Sequence, residues 1–161
     1  MMRSSLLSLG AVALLATTAS AQFFTPGNVV VLRVGEPTAT LGSTAAKVFL
    51  DEWDTSTNTL VQSLEIPNSS TGAVPSFTQR GYSSSEGCLN VSADGRYLVL
   101  AGYDSPVGSP APNAQPSNTT NRVVAVVDTL TGLVDTSTRL LDAFSGGTFR
   151  GVASTDGTEF W

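Results

Sequence analysis

A tight Asp-Gly turn between two short apolar stretches occurs twice in this chain, as Ser92-Ala93-Asp94-Gly95-Arg96-Tyr97-Leu98 and as Ser154-Thr155-Asp156-Gly157-Thr158-Glu159-Phe160. A second hairpin pattern interleaves with it: Phe49 to Ile66 around Asp54-Thr55, and Val123 to Leu140 around Asp128-Thr129. Recurrence of one small antiparallel unit restricts the chain to an architecture built by stacking such units. It constrains the fold and leaves the chemistry open.

Beyond the N-terminal segment the apolar residues fall in short β-branched runs between turn clusters, with no stretch of helical three-and-four spacing. The chain therefore reads as all-β. Strands are expected at Val29 to Val34, Val48 to Trp53, Leu60 to Ile66, Gly87 to Ser92, Arg96 to Gly102, Arg122 to Val127, Leu133 to Leu140, Phe149 to Ser154 and Thr158 to Trp161. Three runs are apolar at every position instead of alternating: Val29-Val30-Val31-Leu32, Tyr97-Leu98-Val99-Leu100-Ala101 and Val123-Val124-Ala125-Val126-Val127. A strand apolar on both faces must be covered on both faces. Antiparallel four-stranded blades stacked as in a β-propeller meet that demand. A two-layer β-sandwich, the alternative, leaves one wet face per strand and explains these runs less well.

Asp94-Gly95-Arg96-Tyr97-Leu98-Val99-Leu100 resembles the first hairpin of YVTN-type propeller repeats, and Asp128-Thr129-Leu130-Thr131-Gly132-Leu133-Val134 resembles the second. The stretch from Ser85-Glu86-Gly87 to Tyr103-Asp104, with Asn28-Val29-Val30 and Phe49 to Trp53 before it, is similar to the opening of secreted bacterial-type β-propeller proteins of uncharacterised role. The resemblance implies blade order: residues 22–66 supply strands B, C and D of one blade, 87–140 a full blade, and 149–161 the start of the next. That makes an incomplete propeller of about two and a half blades, expected to be a piece of a longer protein with exposed stacking faces. No catalytic residue is carried over, because the turn Asp and Gly serve backbone geometry.

The first 21 residues read as a secretory signal peptide: Arg3, an apolar run Leu6 to Ala16, and Ala19-Ser20-Ala21 as the small-residue site, with cleavage between Ala21 and Gln22. The run is shorter than the ~20 residues that span a bilayer, so no transmembrane segment is expected in the mature chain. A net charge of −5 makes phosphate backbones unsuitable partners, and no nucleic-acid role is expected. The chain has no histidine, which removes the commonest general base and metal ligand. Cys88 is the only cysteine, and its apolar flanks predict a small buried thiol, with a reactive or intermolecular thiol as the alternative.

Short turns are expected at one end of the sheets, at Ala93 to Gly95, Thr129 to Gly132 and Thr55 to Asn58. Long connections, Pro67 to Glu86 and Tyr103 to Asn121, are expected together at the other. Loops gathered on a rigid scaffold are where such folds bind. The alternative for Tyr103 to Asn121 is a floppy Pro-Ser-Asn insertion with no partner.

Candidate sites are few. Asp54, Ser56, Asn58 and Glu65 occupy the first, third, fifth and twelfth places of a calcium loop, but Thr59 replaces the glycine at the sixth, and a plain hairpin turn is the preferred reading. Asp51 and Glu52 are strand neighbours, point to opposite faces and are expected to be structural. Ser83-Ser84-Ser85 has no histidine partner, and Gly146-Gly147 reads as a turn. N-glycosylation sequons begin at Asn68, Asn90 and Asn118; Asn68 and Asn118 lie on long loops, whereas Asn90 is expected to be unreachable in an inner strand. No cofactor is expected. The functional expectation is a secreted, non-catalytic propeller fragment that binds a protein or glycan outside the cell or at its surface through the long-loop face. The alternative is a fragment of a secreted propeller enzyme, of polysaccharide lyase or glycosidase type, with its active site in other blades.

Overall fold

The computed structural model describes residues 22–161; the expected signal segment lies outside them and its cleavage point at their border. The described chain is all-β, with antiparallel sheets and no closed barrel. The first sheet has the order β1-β3-β4, formed by β1 (Val29–Val34), β3 (Val48–Asp54) and β4 (Thr59–Glu65). The second has the order β6-β7-β8-β9, formed by β6 (Leu89–Val91), β7 (Tyr97–Tyr103), β8 (Arg122–Asp128) and β9 (Val134–Leu140). A two-residue ribbon joins β2 (Ala45–Ala46) to β5 (Gln79–Arg80).

The second sheet is the middle layer of the molecule. Leu98, Leu100, Val123, Ala125 and Val127 on one of its faces pack with Val48 and Leu50 of the first sheet. Val99, Ala101, Tyr103 and Val124 on the other face pack with Phe149 and Val152 of the C-terminal segment. Two of the continuously apolar runs thus have the double cover their composition demands, at about 1.5–3 kcal/mol per large side chain buried. The third does not. β1 is an edge strand paired only with β3, so Val30 and Leu32 face the core while Val29 and Val31 are 48% and 46% exposed. An apolar run specifies a need for cover without supplying the layer that provides it.

Other expectations change in extent. The segments 149–154 and 158–161 form no ladder; a reciprocal pair of backbone hydrogen bonds joins Ala153 and Trp161, at 2.9 and 3.0 Å. The segment is ordered instead by packing on the second core and by hydrogen bonds from Ala93 N to Ser154 O and Asp94 N to Thr155 O, both at 3.0 Å. β6 covers only Leu89–Val91, because Gly87 takes a left-handed φ of 85° and starts the strand late. Cys88 therefore precedes the strand and is exposed, not buried. Asn90 is exposed too, although its amide nitrogen donates to the Val152 carbonyl at 2.7 Å. Among the described residues no helix is long and apolar enough to cross a membrane.

Candidate functional site

The long connections meet at one end of the sheets, and backbone hydrogen bonds fix them there. The 35–47 connection is stitched to the 103–121 connection by Ala45 N to Ser109 O (2.8 Å), Gly108 N to Ala45 O (2.8 Å) and Ala111 N to Ser43 O (3.1 Å). It is stitched to 67–86 by Gly81 N to Thr44 O (2.8 Å) and Tyr82 N to Gly42 O (2.9 Å). Gly81 is required at that crossing: a Cβ there would stand 2.9 Å from the Gly42 carbonyl oxygen. Thr78 exchanges backbone bonds with Tyr103, and Asp104 accepts from Ser76 N and Oγ, tying 67–86 to the end of β7. Tyr103 to Asn121 is therefore a pinned loop and not the floppy insertion that its composition suggests.

A buried cation anchors this end from below. Arg122 is fully buried, and its guanidinium donates to the carbonyls of Thr120 (2.7 Å), Asn113 (3.0 Å), Phe144 (2.6 Å) and Gly147 (3.0 Å). Burial pushes the Arg122 guanidinium down from its usual range, and the nearby Tyr103 and Glu86 act against that. Gly146-Gly147 is a turn as expected, closed by Gly147 N to Phe144 O. Its carbonyls serve the clasp. Arg122 could have been suspected from its place as the lone charge at the head of an apolar strand.

Two adjoining cavities lie between the stitched connections and share Leu41 and Gly81. The larger, about 520 Å³, is walled by Gln79, Arg80, Tyr82, Ser83, Ser84 and Glu86. The smaller, about 230 Å³, is bounded by Val107, Gly108 and Thr40. Leu41, Tyr82 and Val107 are 40%, 59% and 47% exposed at the mouths. The Arg80 guanidinium stands over the Tyr82 ring at 5.2 Å, a cation–π arrangement. Glu86 accepts from Arg80 N (3.1 Å) and from Tyr103 Oη (2.9 Å), and Tyr103 Oη accepts from Phe149 N (3.1 Å). Burial pushes the Glu86 carboxyl above its ordinary range, against hydrogen bonds from Tyr103 and Arg80 that pull it down. Burial pushes the Tyr103 phenol up strongly, so it stays a neutral donor. Both Glu86 oxygens are thus engaged in holding the 79–86 loop. The cavity offers an aromatic ring, a cation, a carboxylate and serine hydroxyls in one wall, a set suited to recognition. Sequence reasoning located this end of the molecule and missed Gln79, Arg80, Tyr82 and Glu86, which only the crossing of separate loops brings together.

The residues singled out in the sequence lie elsewhere. Asp54 Oδ1 accepts from Ser56 N (2.7 Å), Ser56 Oγ (2.6 Å) and Thr57 N (3.3 Å), and Asn58 takes the left-handed φ of 54°, so this is a self-satisfied turn. Glu65 sits at the far end of β4, ~20 Å along the strand at 3.3 Å per residue, where it pairs with Lys47 at 3.2 Å. The four oxygens of the calcium pattern do not converge. Asp51 and Glu52 do face opposite ways. Asp51 is held by Arg33 (2.6 Å), and Glu52, fully buried, accepts from Thr25 N (2.7 Å), Asn28 (2.7 Å) and Gln62 (2.6 Å). Asn68 is half-buried and donates to Glu65, whereas Asn118 is exposed in the turn that follows Pro116. Comparison with family models, with curated proteins and with solved structures found no match.

Proposed function

We propose that the chain is a non-catalytic binding module, built of propeller-type blades and exported from the cell, whose long-connection end holds a carbohydrate. The observation that carries this reading is the Tyr82 ring, 59% exposed at the mouth of a cavity walled by Arg80, Glu86 and serine hydroxyls. A pyranose has an apolar C–H face and a rim of hydroxyls that both donate and accept. An exposed aromatic ring beside charged and hydroxyl groups meets both demands at once. Export and blade architecture rest on the signal-like N-terminus and on the repeated hairpins.

The test is a titration of the full chain against soluble cello-, xylo-, chito- and manno-oligosaccharides by calorimetry. Binding of at least one series is expected, weakened tenfold or more by Tyr82→Ala with unchanged thermal unfolding. Failure of every series to bind, or a Tyr82→Ala variant that binds as tightly as the parent, would overturn it.

A further inference from the structure

The two large sheets repeat each other, and the repetition shows that one surface is used once and left open once. Aligned on the turns that follow β3 and β8, Asp54 corresponds to Asp128, Trp53 to Val127 and Asp51 to Ala125. The strand registers then place Val29, opposite Trp53, in correspondence with Leu98, opposite Val127, and Val31 with Leu100. Leu60 likewise matches Val134. In the second sheet these positions are the ones seated on the first sheet: Leu98, Leu100 and Val127 are 5%, 0% and 0% exposed. In the first sheet they look outward, with Val29, Val31, Trp53 and Leu60 at 48%, 46%, 37% and 49%.

The open face has the character of an interface. Its charges are neutralised in place: Arg33 lies 4.1 Å over the Phe49 ring and is bonded to Asp51 and to the Gly35 carbonyl. At its edge Lys47 sits between Glu36 and Glu65, both at 3.2 Å. Val29, Trp53 and Leu60 make one apolar row, Val31 adjoins it, and Asp51 beside Val31 meets a partner already paired with Arg33, so covering this face strands no unpaired charge. The surface that would seat on it is carried by the same chain. In the C-terminal segment Val152 and Phe160 pack inward onto the second core, while Ala153 and Trp161, bonded to each other, are turned the opposite way. Trp161 is 68% exposed there.

We infer that the outer face of the first sheet docks the C-terminal segment of a second copy of this chain, continuing head to tail the stacking that β1 to β9 make internally. The contact is heterologous, one face of a copy against a different face of its neighbour, and successive copies close a ring or extend a fibre. Three strands spaced about 4.8 Å and six residues long give a footprint of only ~300 Å², below the ~800 Å² per partner of a stable complex. The association is accordingly concentration-dependent.

Sedimentation of the full chain between low micromolar and several hundred micromolar is the deciding measurement. The mean mass is expected to rise with concentration, and Val31→Glu and Trp161→Ser are each expected to hold the protein monomeric with unaltered circular dichroism. Val31→Thr is a milder second variant should the glutamate perturb folding. Mixing Val31→Glu with Trp161→Ser is expected to restore a one-to-one dimer, because each variant keeps the face that the other lacks. A monomeric parent at every concentration, an association insensitive to both substitutions, or two monomeric variants that fail to complement each other would overturn the inference; the last result points to like faces meeting, and a monomeric parent to cover by some other partner. The long-connection end takes no part in this contact.

Discussion

At the scale of single residues, the buried Arg122 and the hydrogen-bonded carboxylates Asp51, Asp128 and Glu86 each bear on stability. Replacing Arg122 by Met keeps the bulk and leaves four backbone carbonyls without their donor. Hydrogen bonds to charged groups are each worth about 1.5–3 kcal/mol net, and buried acceptors left unpaired add desolvation. A loss of about 3 kcal/mol or more is expected in urea unfolding, together with faster amide exchange in 103–121 and 141–149. The carboxylates predict opposite pH behaviours. For Asp51, burial acts upward, but hydrogen bonds from Arg33 and Ser63 and the charge of Arg33 hold the carboxyl below its ordinary range. For Asp128 the Arg96 hydrogen bond is the chief cause of the same direction. Such groups stabilise the fold above the ordinary carboxylate range, and that contribution disappears as pH falls through their depressed values. Glu86 runs the other way: its raised value gives a contribution present in acid and lost as pH rises through it. Thermal melts from pH 7 to pH 3 are expected to show net acid destabilisation. The melting temperature of Glu86→Gln relative to the parent is expected to be higher at pH 7 than at pH 4.

At the scale of elements, both Asp-Gly turns bend through a glycine of positive φ, 76° at Gly95 and 80° at Gly157, where an L-residue costs about 1–2 kcal/mol. Gly95 has open space around it, whereas a Cβ on Gly157 would lie 2.8 Å from the Tyr97 ring. Gly95→Ala is therefore expected to lower stability by about 1–2 kcal/mol in denaturant melts. Gly157→Ala carries the same strain plus the clash, read as increased amide exchange across 149–161. These turns, and β3, β4, β7, β8 and β9, were legible in the sequence because turn chemistry and long apolar runs act locally. The ribbon of Ala45–Ala46 with Gln79–Arg80 was not, since nothing in those residues favours a strand and only the convergence of two connections pairs them. Cys88 was misread for a related reason: its flanks are apolar, but a left-handed glycine beside it places it before the strand begins. The cavity around Tyr82 was illegible because its walls are contributed by loops far apart in sequence, while Asp54 and Glu65, close in sequence, are held apart by a rigid strand.

At the scale of the whole molecule, protection is graded by layer. β7 and β8 lie between two cores, β1 is bonded on one side only, and 149–161 has no strand ladder but separate hydrogen bonds, among them the Ala153–Trp161 pair, the bonds of Ser154 Oγ and two bonds from Ala93 N and Asp94 N. Native-state hydrogen exchange is expected to show the slowest amides at Val99, Leu100, Val124 and Ala125, opening with the global unfolding free energy, while 149–161 exchanges through local opening orders of magnitude sooner. A flat profile across the three layers would contradict the layered core. The clasp of Arg122 bears on how such a molecule changes over generations. All four of its acceptors are peptide oxygens, a group that every amino acid carries alike. The clasp thus asks nothing of the side chains that flank it, and where such a side chain has no packing partner of its own, mutation can redraw the lettering of that end while its scaffold of carbonyls stays put.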